Sequence, residues 1–472
     1  DPAYTTPAWF REGIAYQIFP DRFYRSGQVQ GVEAHEKLGH RVILHDSWEE
    51  QPMYRPPEGM AHYDPCDFFG GNLNGIREKL PYLQELGVEI LYLNPIFYAW
   101  STHRYDTCDY KRIDPMLGTE EDFRALCAEA HTHGMKVILD GVFSHVGSRS
   151  AYFQQAIHDP SSPYRGWFRF QHYPDVYDSW WGITTLPCVD KMNPDFIRYM
   201  IDDEDSVAVH WLKLGADGWR LDVVDELPDA FLARLRARIR AYKPDALLIG
   251  EVWEDASNKI AYDQRRRYFT DRQLDSVMNY PFKEAILAYV LNGDKNAFIA
   301  DVTAVLEHYP KQSLDVLMNL VDSHDTARAI TVLSGVKPPY SKKDRADFTL
   351  SCEQYDLAKR RLKVASALQY TLPGVPCVFY GDEAGKQGFE DPLNRGTYPW
   401  GREDTDLIEH YRALGKIREQ YKDLLQGETH FKPDADKLVF ERVCADGVLR
   451  VESQGLWLSI SVNGKVVMSI NK

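Results

Sequence analysis

Eight short apolar runs, each followed by a longer stretch of helical periodicity, constrain the fold of this chain more than any other feature. The runs fall at 14–19, 90–93, 137–142, 217–222, 247–252, 275–278, 316–321 and 377–380. Helical patterns lie at 75–86, 119–133, 195–214, 230–243, 283–291, 296–308 and 356–370. Short β-branched runs read as buried strands, and apolar residues recurring every three to four positions read as amphipathic helices. Strands that alternate with helices pair in parallel. Eight such units within roughly 400 residues predict an α/β chain closed into a (β/α)₈ TIM barrel.

Two segments break the repeat. Residues 144–192 separate the third strand from its helix and are rich in aromatics, including Tyr164, Trp167, Phe168, Trp180 and Trp181. A structureless loop of that length is unusual, so a small inserted subdomain is expected there. Beyond a last helix at about 404–421, alternating patterns at 438–442, 447–452, 456–462 and 466–470 predict a small all-β domain. The predicted organisation is a barrel from 1–143 and 193–424, an insert at 144–192 and a C-terminal β-domain at 425–472.

Charge excludes some partners. The chain carries 55 Lys and Arg against 70 Asp and Glu, a net −15. Phosphate backbones require clustered basic residues, so no nucleic acid partner is expected, nor an anionic membrane surface. No apolar run approaches a membrane span, and no basic region followed by an apolar one heads the chain. A cytoplasmic protein is expected, or a secreted one if a leader was removed. Seven cysteines without close spacing read as reduced thiols.

In a barrel of this kind chemistry sits at the C-terminal ends of the strands. Strand three ends in Asp140 and is followed by His145. Strand four reads Gly218-Trp219-Arg220-Leu221-Asp222, strand five ends at Glu251-Val252-Trp253, and strand seven runs into His324-Asp325. Residues two apart on a strand share a face, so Arg220 and Asp222 point together. Arg220 is expected to keep Asp222 ionised, and the apolar neighbours of Glu251 to raise its carboxyl, as a nucleophile and a general acid require. One strand-end carboxylate alone is usually a cap. Four rims carrying His, Arg–Asp, Glu and His–Asp are hard to explain as caps, and paired carboxyls flanking a bond are the apparatus of glycoside hydrolysis. A metal hydrolase would need clustered ligands. His131 and His133 have suitable spacing but precede strand three, and His35, His40, His45 and His62 scatter through the first loop.

These stretches closely resemble the α-amylase family of glycoside hydrolases: DGVFSH at 140–145, GWRLDVVDE at 218–226, GEVW at 250–253 and VDSHDT at 321–326. AYQIFPDRF at 15–23, FFGGNLNGI at 68–76, HRYDTCDY at 103–110, MNYPF at 278–282 and YGDEAG at 380–385 are similar to its cyclomaltodextrinase, neopullulanase and maltogenic amylase branch. The resemblance implies Asp222 as nucleophile, Glu251 as acid and base, and Asp325 as the residue holding the sugar 2- and 3-hydroxyls. It implies that Arg220 tunes Asp222, that His145 and His324 donate to the sugar, and that Tyr105 stacks on it. Asp391 and Arg395 would bind the non-reducing side, and Trp253 and Glu226 the leaving-group side. Trp180 and Trp181 are open to stacking on glucan or to packing within the insert.

The branch usually carries a further N-terminal β-domain, which is not found here; the expectation is an open cleft, a monomer and action on longer α-glucans. Ser144 stands where the family usually has Asn, Asn72 where the branch often has Asp, and Tyr24–Gln28 where it has a run of Asn and Asp. These departures weaken both usual calcium sites, so no cofactor is expected. The leading reading is an α-amylase-type hydrolase of α-1,4-glucosidic bonds in starch or maltooligosaccharides. The alternative is a cyclomaltodextrinase or neopullulanase with transglycosylation. An inactive glucan-binding relative is disfavoured because all three carboxylates are present.

Overall fold

The computed structural model describes residues 4–57 and 59–471. Residues 1–3 of the predicted barrel segment, Glu58, and Lys472 of the predicted β-domain lie outside the described residues. Eight strands close into a parallel barrel: β1 (Ala15–Ile18), β2 (Ile90–Leu93), β3 (Lys136–Gly141), β4 (Gly218–Leu221), β5 (Leu247–Gly250), β6 (Ser276–Asn279), β7 (Met318–Asn319) and β8 (Val375–Phe379). They follow one another round the barrel in chain order, and β8 pairs back onto β1 with Ala15 opposite Cys377.

The lumen is a packed core. Ala15, Ile90, Ile138, Leu247, Ile249, Met278, Met318 and Val375 fill it, with Phe10 from the segment leading into β1. Residues facing outward, such as Leu91, Leu139, Trp219 and Leu248, belong to the larger core beneath the helices. Trp219 donates its indole N–H to the carbonyl of Ala208 at 3.2 Å on a surrounding helix. Gly218 is dictated by close approach: a Cβ there would lie 2.5 Å from the carbonyl oxygen of Leu247.

The strands are shorter than their sequence patterns. β4 and β5 stop at Leu221 and Gly250, so Asp222 and Glu251 are the first residues beyond them. Their amides still extend the ladder, Asp222 N–H to Gly141 O at 3.0 Å and Glu251 N–H to Leu221 O at 3.0 Å. The predicted helix at 195–214 is three pieces: Pro194–Ile197, a π-turn at Arg198–Asp202, and Val207–Leu214. Arg238 makes the break tolerable by donating to the freed carbonyls of Ile201, Asp203 and Glu204. The helix predicted at 75–86 divides at Lys79, because Pro81 lacks an N–H and opens a new first turn.

The segment 144–192 contains the helix Ala151–His158 and a small antiparallel pair, Phe170–His172 with Val176–Tyr177. Tyr152, Phe153, Tyr164, Trp167 and Phe168 pack edge-on and stacked on one another, and their cluster is continuous with the core beneath the helices, where Trp167 meets Phe196 at 5.1 Å. The C-terminal sheet has five antiparallel strands rather than the predicted four: β9 (Glu428–Phe431), β10 (Leu438–Cys444), β11 (Gly447–Gln454), β12 (Trp457–Val462) and β13 (Lys465–Ile470). β9 is half-exposed and polar, so its pattern is weak. Arg442 fastens the sheet to the barrel by donating to the carbonyls of Thr371, Leu425 and Gly427. Among the described residues, no helix is long and apolar enough to cross a membrane, and all seven cysteines are free.

Candidate active site

The ladder positions Arg220 on β4 with its guanidinium in the lumen, fully buried. Its fork reaches three acids. Nη1 donates to Asp140 at 2.9 Å and to Asp222 at 3.1 Å, and Nη2 donates to Glu251 at 2.8 Å. Glu251 Oε2 also accepts the Val223 N–H at 3.0 Å, and Oε1 accepts the Trp253 indole N–H at 2.7 Å. The surroundings of Glu251 are therefore polar rather than apolar as expected: Trp253 presents its N–H, while its ring stacks on Tyr280 at 3.9 Å.

Sharing one guanidinium has a consequence for Asp222. Burial pushes its carboxyl well above the ordinary carboxylate range, the negative charge of Glu251 pushes the same way, and Arg220 pulls it down. The expectation that Arg220 would hold Asp222 low is corrected, because burial, joined by the charge of Glu251, outweighs the pull of a cation shared among three acids. Burial also raises Asp140 and Asp325.

A second network fixes the opposite wall. Gln17 on β1 spends one amide hydrogen on Asn94 Oδ1 at 3.1 Å and the other on His324 Nδ1 at 2.9 Å. With Nδ1 accepting, the proton of His324 sits on Nε2, which reaches the Tyr105 hydroxyl at 2.7 Å and Asp325 at 3.3 Å. Tyr105 passes its own proton toward Asp140 at 2.8 Å, beside Tyr92 at 2.9 Å. Burial, with Arg395 and Arg220 nearby, keeps His324 far below the usual imidazole range. Burial also lowers His145 to about 4. Its Nε2 meets the backbone carbonyl of Tyr105 at 3.1 Å and its Nδ1 the Ser144 hydroxyl at 2.9 Å. Both histidines line the cavity with ring nitrogens already partnered, so a sugar hydroxyl would have to share them. Tyr105 stacks on His324, with ring planes 7° apart.

Asp325 sits across the cavity with Arg395 Nη2 at 3.5 Å, and Arg395 Nη1 binds Asp391 at 2.9 Å. Asn394 donates to the carbonyls of His324 at 2.7 Å and Thr326 at 2.8 Å, clamping the turn that carries Asp325. Arg328, buried beneath, holds the Asn394 carbonyl at 2.8 Å and Asp382 at 3.0 Å. Sequence reasoning passed over Gln17, Asn94, Arg328 and Asn394. Their only sequence signal was a polar residue within or near a strand or motif, as Gln17 is within AYQIFPDRF.

Asp222, Glu251, Asp325, Tyr105, His145, His324, Trp253, Glu226, Asp391 and Arg395 all line one cavity of about 760 Å³ at the C-terminal rim, and Arg220 lies under its floor. Glu226 accepts a hydrogen bond from the Tyr262 hydroxyl. On the side of Asp391 and Arg395 the cavity adjoins a smaller one of about 120 Å³.

Most of the weighed metal ligands are engaged elsewhere, and His40 packs edge-on against His35 at 5.7 Å. His131 binds Asp217, His133 binds Gln84, His35 binds Asp114, and His45 binds Glu50 and Asp67. Among the described residues no group of three His, Cys, Asp or Glu could hold a metal ion. The calcium positions are used otherwise. Asn72 accepts the N–H groups of Gly75 and Ser26 and donates to the Ser26 carbonyl. With the Ser144 hydroxyl committed to His145, these donors do not fit a calcium site.

A parallel barrel with an acid cluster gathered round one arginine at its C-terminal rim is an arrangement for barrel hydrolases of the glycosidase class. Comparison with known proteins narrows the class. The α-amylase catalytic-domain model matches residues 17–428. An amylopullulanase of Thermoanaerobacter thermohydrosulfuricus is 36% identical across 90% of this chain and 31% of its own length. Neopullulanase 2 of Thermoactinomyces vulgaris is 34% identical over 98% of this chain and 73% of its own. Among solved structures, the type III pullulan hydrolase of Thermococcus kodakarensis superposes with a TM-score of 0.81 at 31% identity, covering 99% of this chain and 82% of that one. The chain belongs to the α-amylase family of glycoside hydrolases. It spans between 24% and 36% of the length of the amylopullulanases it matches.

Proposed function

We propose that the chain is a retaining hydrolase of α-1,4-glucosidic bonds in α-glucans and maltooligosaccharides. The observation that carries this reading is the placement of Asp222 and Glu251 on the two ends of one buried guanidinium, with Asp325 across the same cavity. Asp222 attacks the anomeric carbon as the glycosidic bond breaks, and Glu251 delivers a proton to the departing oxygen. Water, deprotonated by Glu251, then releases the sugar from Asp222. Asp325 accepts hydrogen bonds from ring hydroxyls, and Asp391 with Arg395 orients the non-reducing side. No metal takes part in these steps.

Within this reading a cyclomaltodextrinase or neopullulanase action is favoured over a starch-only α-amylase. The support is the set of relatives that match most of this chain, among them neopullulanase 2 and the type III pullulan hydrolase. The reading is tested by following first products by proton NMR on starch, pullulan and β-cyclodextrin. Release of α-anomers supports retention, and β-anomers overturn it. Pullulan or cyclodextrin turned over faster than starch supports the second reading, and starch alone being cleaved overturns it.

A further inference from the structure

The leaving-group half of the cleft does not end at Glu226. Asp225, Glu226, Trp180 and Trp181 form a shared wall between the catalytic cavity and a second cavity of about 690 Å³. The two spaces lead in different directions. The catalytic cavity runs past Trp253 toward Glu254 and Lys259, whereas the second runs between the insert and the hairpin Ile260–Arg265 toward Arg169 and Pro228. The cleft therefore forks just beyond the proposed acid, Glu251.

The lining of the second cavity combines aromatic faces with groups able to bond hydroxyls. Trp181 is 83% exposed and Tyr262 69% exposed, unlike the aromatics packed inside the insert. Both adopt left-handed backbone, with φ of 50° at Trp181 and 53° at Tyr262, a conformation unfavourable for large side chains. Strain of that kind persists where surrounding structure enforces it, and it clusters at ligand sites. At Tyr262 the hydroxyl is tied to Glu226, which fixes the ring against the shared wall. Trp180 stands between the two spaces, tilted against His145 at 5.8 Å and Trp181 at 5.8 Å. Flat apolar faces flanked by Asp178 and Gln264 suit pyranose rings, which are apolar on their faces and hydroxylated at their edges.

We propose that this side cavity is a second acceptor-side site for a glucosyl segment, gripped by Trp181 and Tyr262. The inference rests on the α-glucan reading above. Its occupant is either the reducing-end extension of a linear chain or a branch joined by an α-1,6 bond, and the two share the same chemistry.

The test uses the full chain and the variants Trp181→Ala and Tyr262→Ala, with Tyr262→Phe to keep the ring and remove the bond to Glu226. The values of kcat/KM are compared on maltotriose, maltoheptaose and a maltooligosaccharide bearing an α-1,6-linked maltosyl branch. Binding of the same sugars is measured by calorimetry in an Asp222→Asn background. The loss is expected to be larger by about tenfold on the occupying sugar than on maltotriose, as for an aromatic contact at the centre of an interface. A selective loss on maltoheptaose assigns the cavity to the linear chain, and a selective loss on the branched sugar assigns it to the branch. Equal effects on all three sugars, or no effect on any, would overturn the proposal. Absence of turnover by the parent enzyme would count against the α-glucan hydrolase reading, while the binding comparison would still decide this one.

Discussion

The floor of the cleft and its leaving-group wall are built on opposite plans. On the floor every donor is committed: Arg220 to three acids, His324 to Tyr105, and Asn394 to the turn of Asp325. The side chains are buried, and Arg220, Asp222 and Glu251 come from strands or strand ends held by barrel ladder bonds. On the wall, Trp181 and Tyr262 project into solvent from strained turns. Bond cleavage requires groups held in place before substrate arrives. Binding a chain of repeating sugars requires open faces. Reaction rate should therefore be vulnerable at the floor and substrate preference at the wall.

The largest expected break lies on the floor. Asp222→Asn should lower kcat by about four orders of magnitude or more on every α-glucan, as for removal of a nucleophile, with circular dichroism unchanged. Retention of activity within tenfold would break the assignment. Next is Arg220→Met, which leaves three buried carboxylates without their cation. It should cost about 3–5 kcal/mol of stability at neutral pH, with a smaller loss in acid where the carboxyls protonate. Thermal unfolding at two pH values checks the magnitude and the sign.

Asn394→Ala touches no proposed sugar contact. Freeing the turn that carries Asp325 should lower kcat by about tenfold or more while moving KM less. An effect confined to KM would move Asn394 from the floor's bracing to the binding wall. The smallest expected effect is a pH shift. The raised carboxyl of Asp222 must be ionised to attack, so activity should fall as pH drops through a value above the ordinary carboxylate range. Glu251→Gln removes a negative neighbour that pushes Asp222 up. With an activated substrate such as a maltosyl fluoride, the acid limb for the initial burst of fluoride release by this variant should therefore move to lower pH. A limb that stays in place would show that Glu251 is not coupled to Asp222.

The two regions also differed in how much of them could be read from the sequence. The barrel was legible because short apolar runs alternate with helical patterns, and the acids stand at the ends of those runs. The partition of Arg220 among Asp140, Asp222 and Glu251 was not, because it depends on lateral register between β3, β4 and β5. Burial of Asp222, with Glu251 on the same guanidinium, outweighs the pull of Arg220. Asn394 and Gln17 were missed because they lie far in the chain from the turns they hold. Within the aromatic insert, nothing local separates Trp167, buried in the insert, from Trp181, almost fully exposed. The broken helix at 195–214 depends on Arg238, a residue from a later helix, and local periodicity cannot register it.

The proposed route passes through a covalent bond between sugar and Asp222. Glu251→Gln, given α-maltosyl fluoride, needs no acid to expel fluoride but lacks the base that activates water, so the intermediate should accumulate. Mass spectrometry of a rapid proteolytic digest should then find a maltosyl group on the peptide containing Asp222. An unlabelled enzyme after fluoride release, or a label on another residue, would contradict the account.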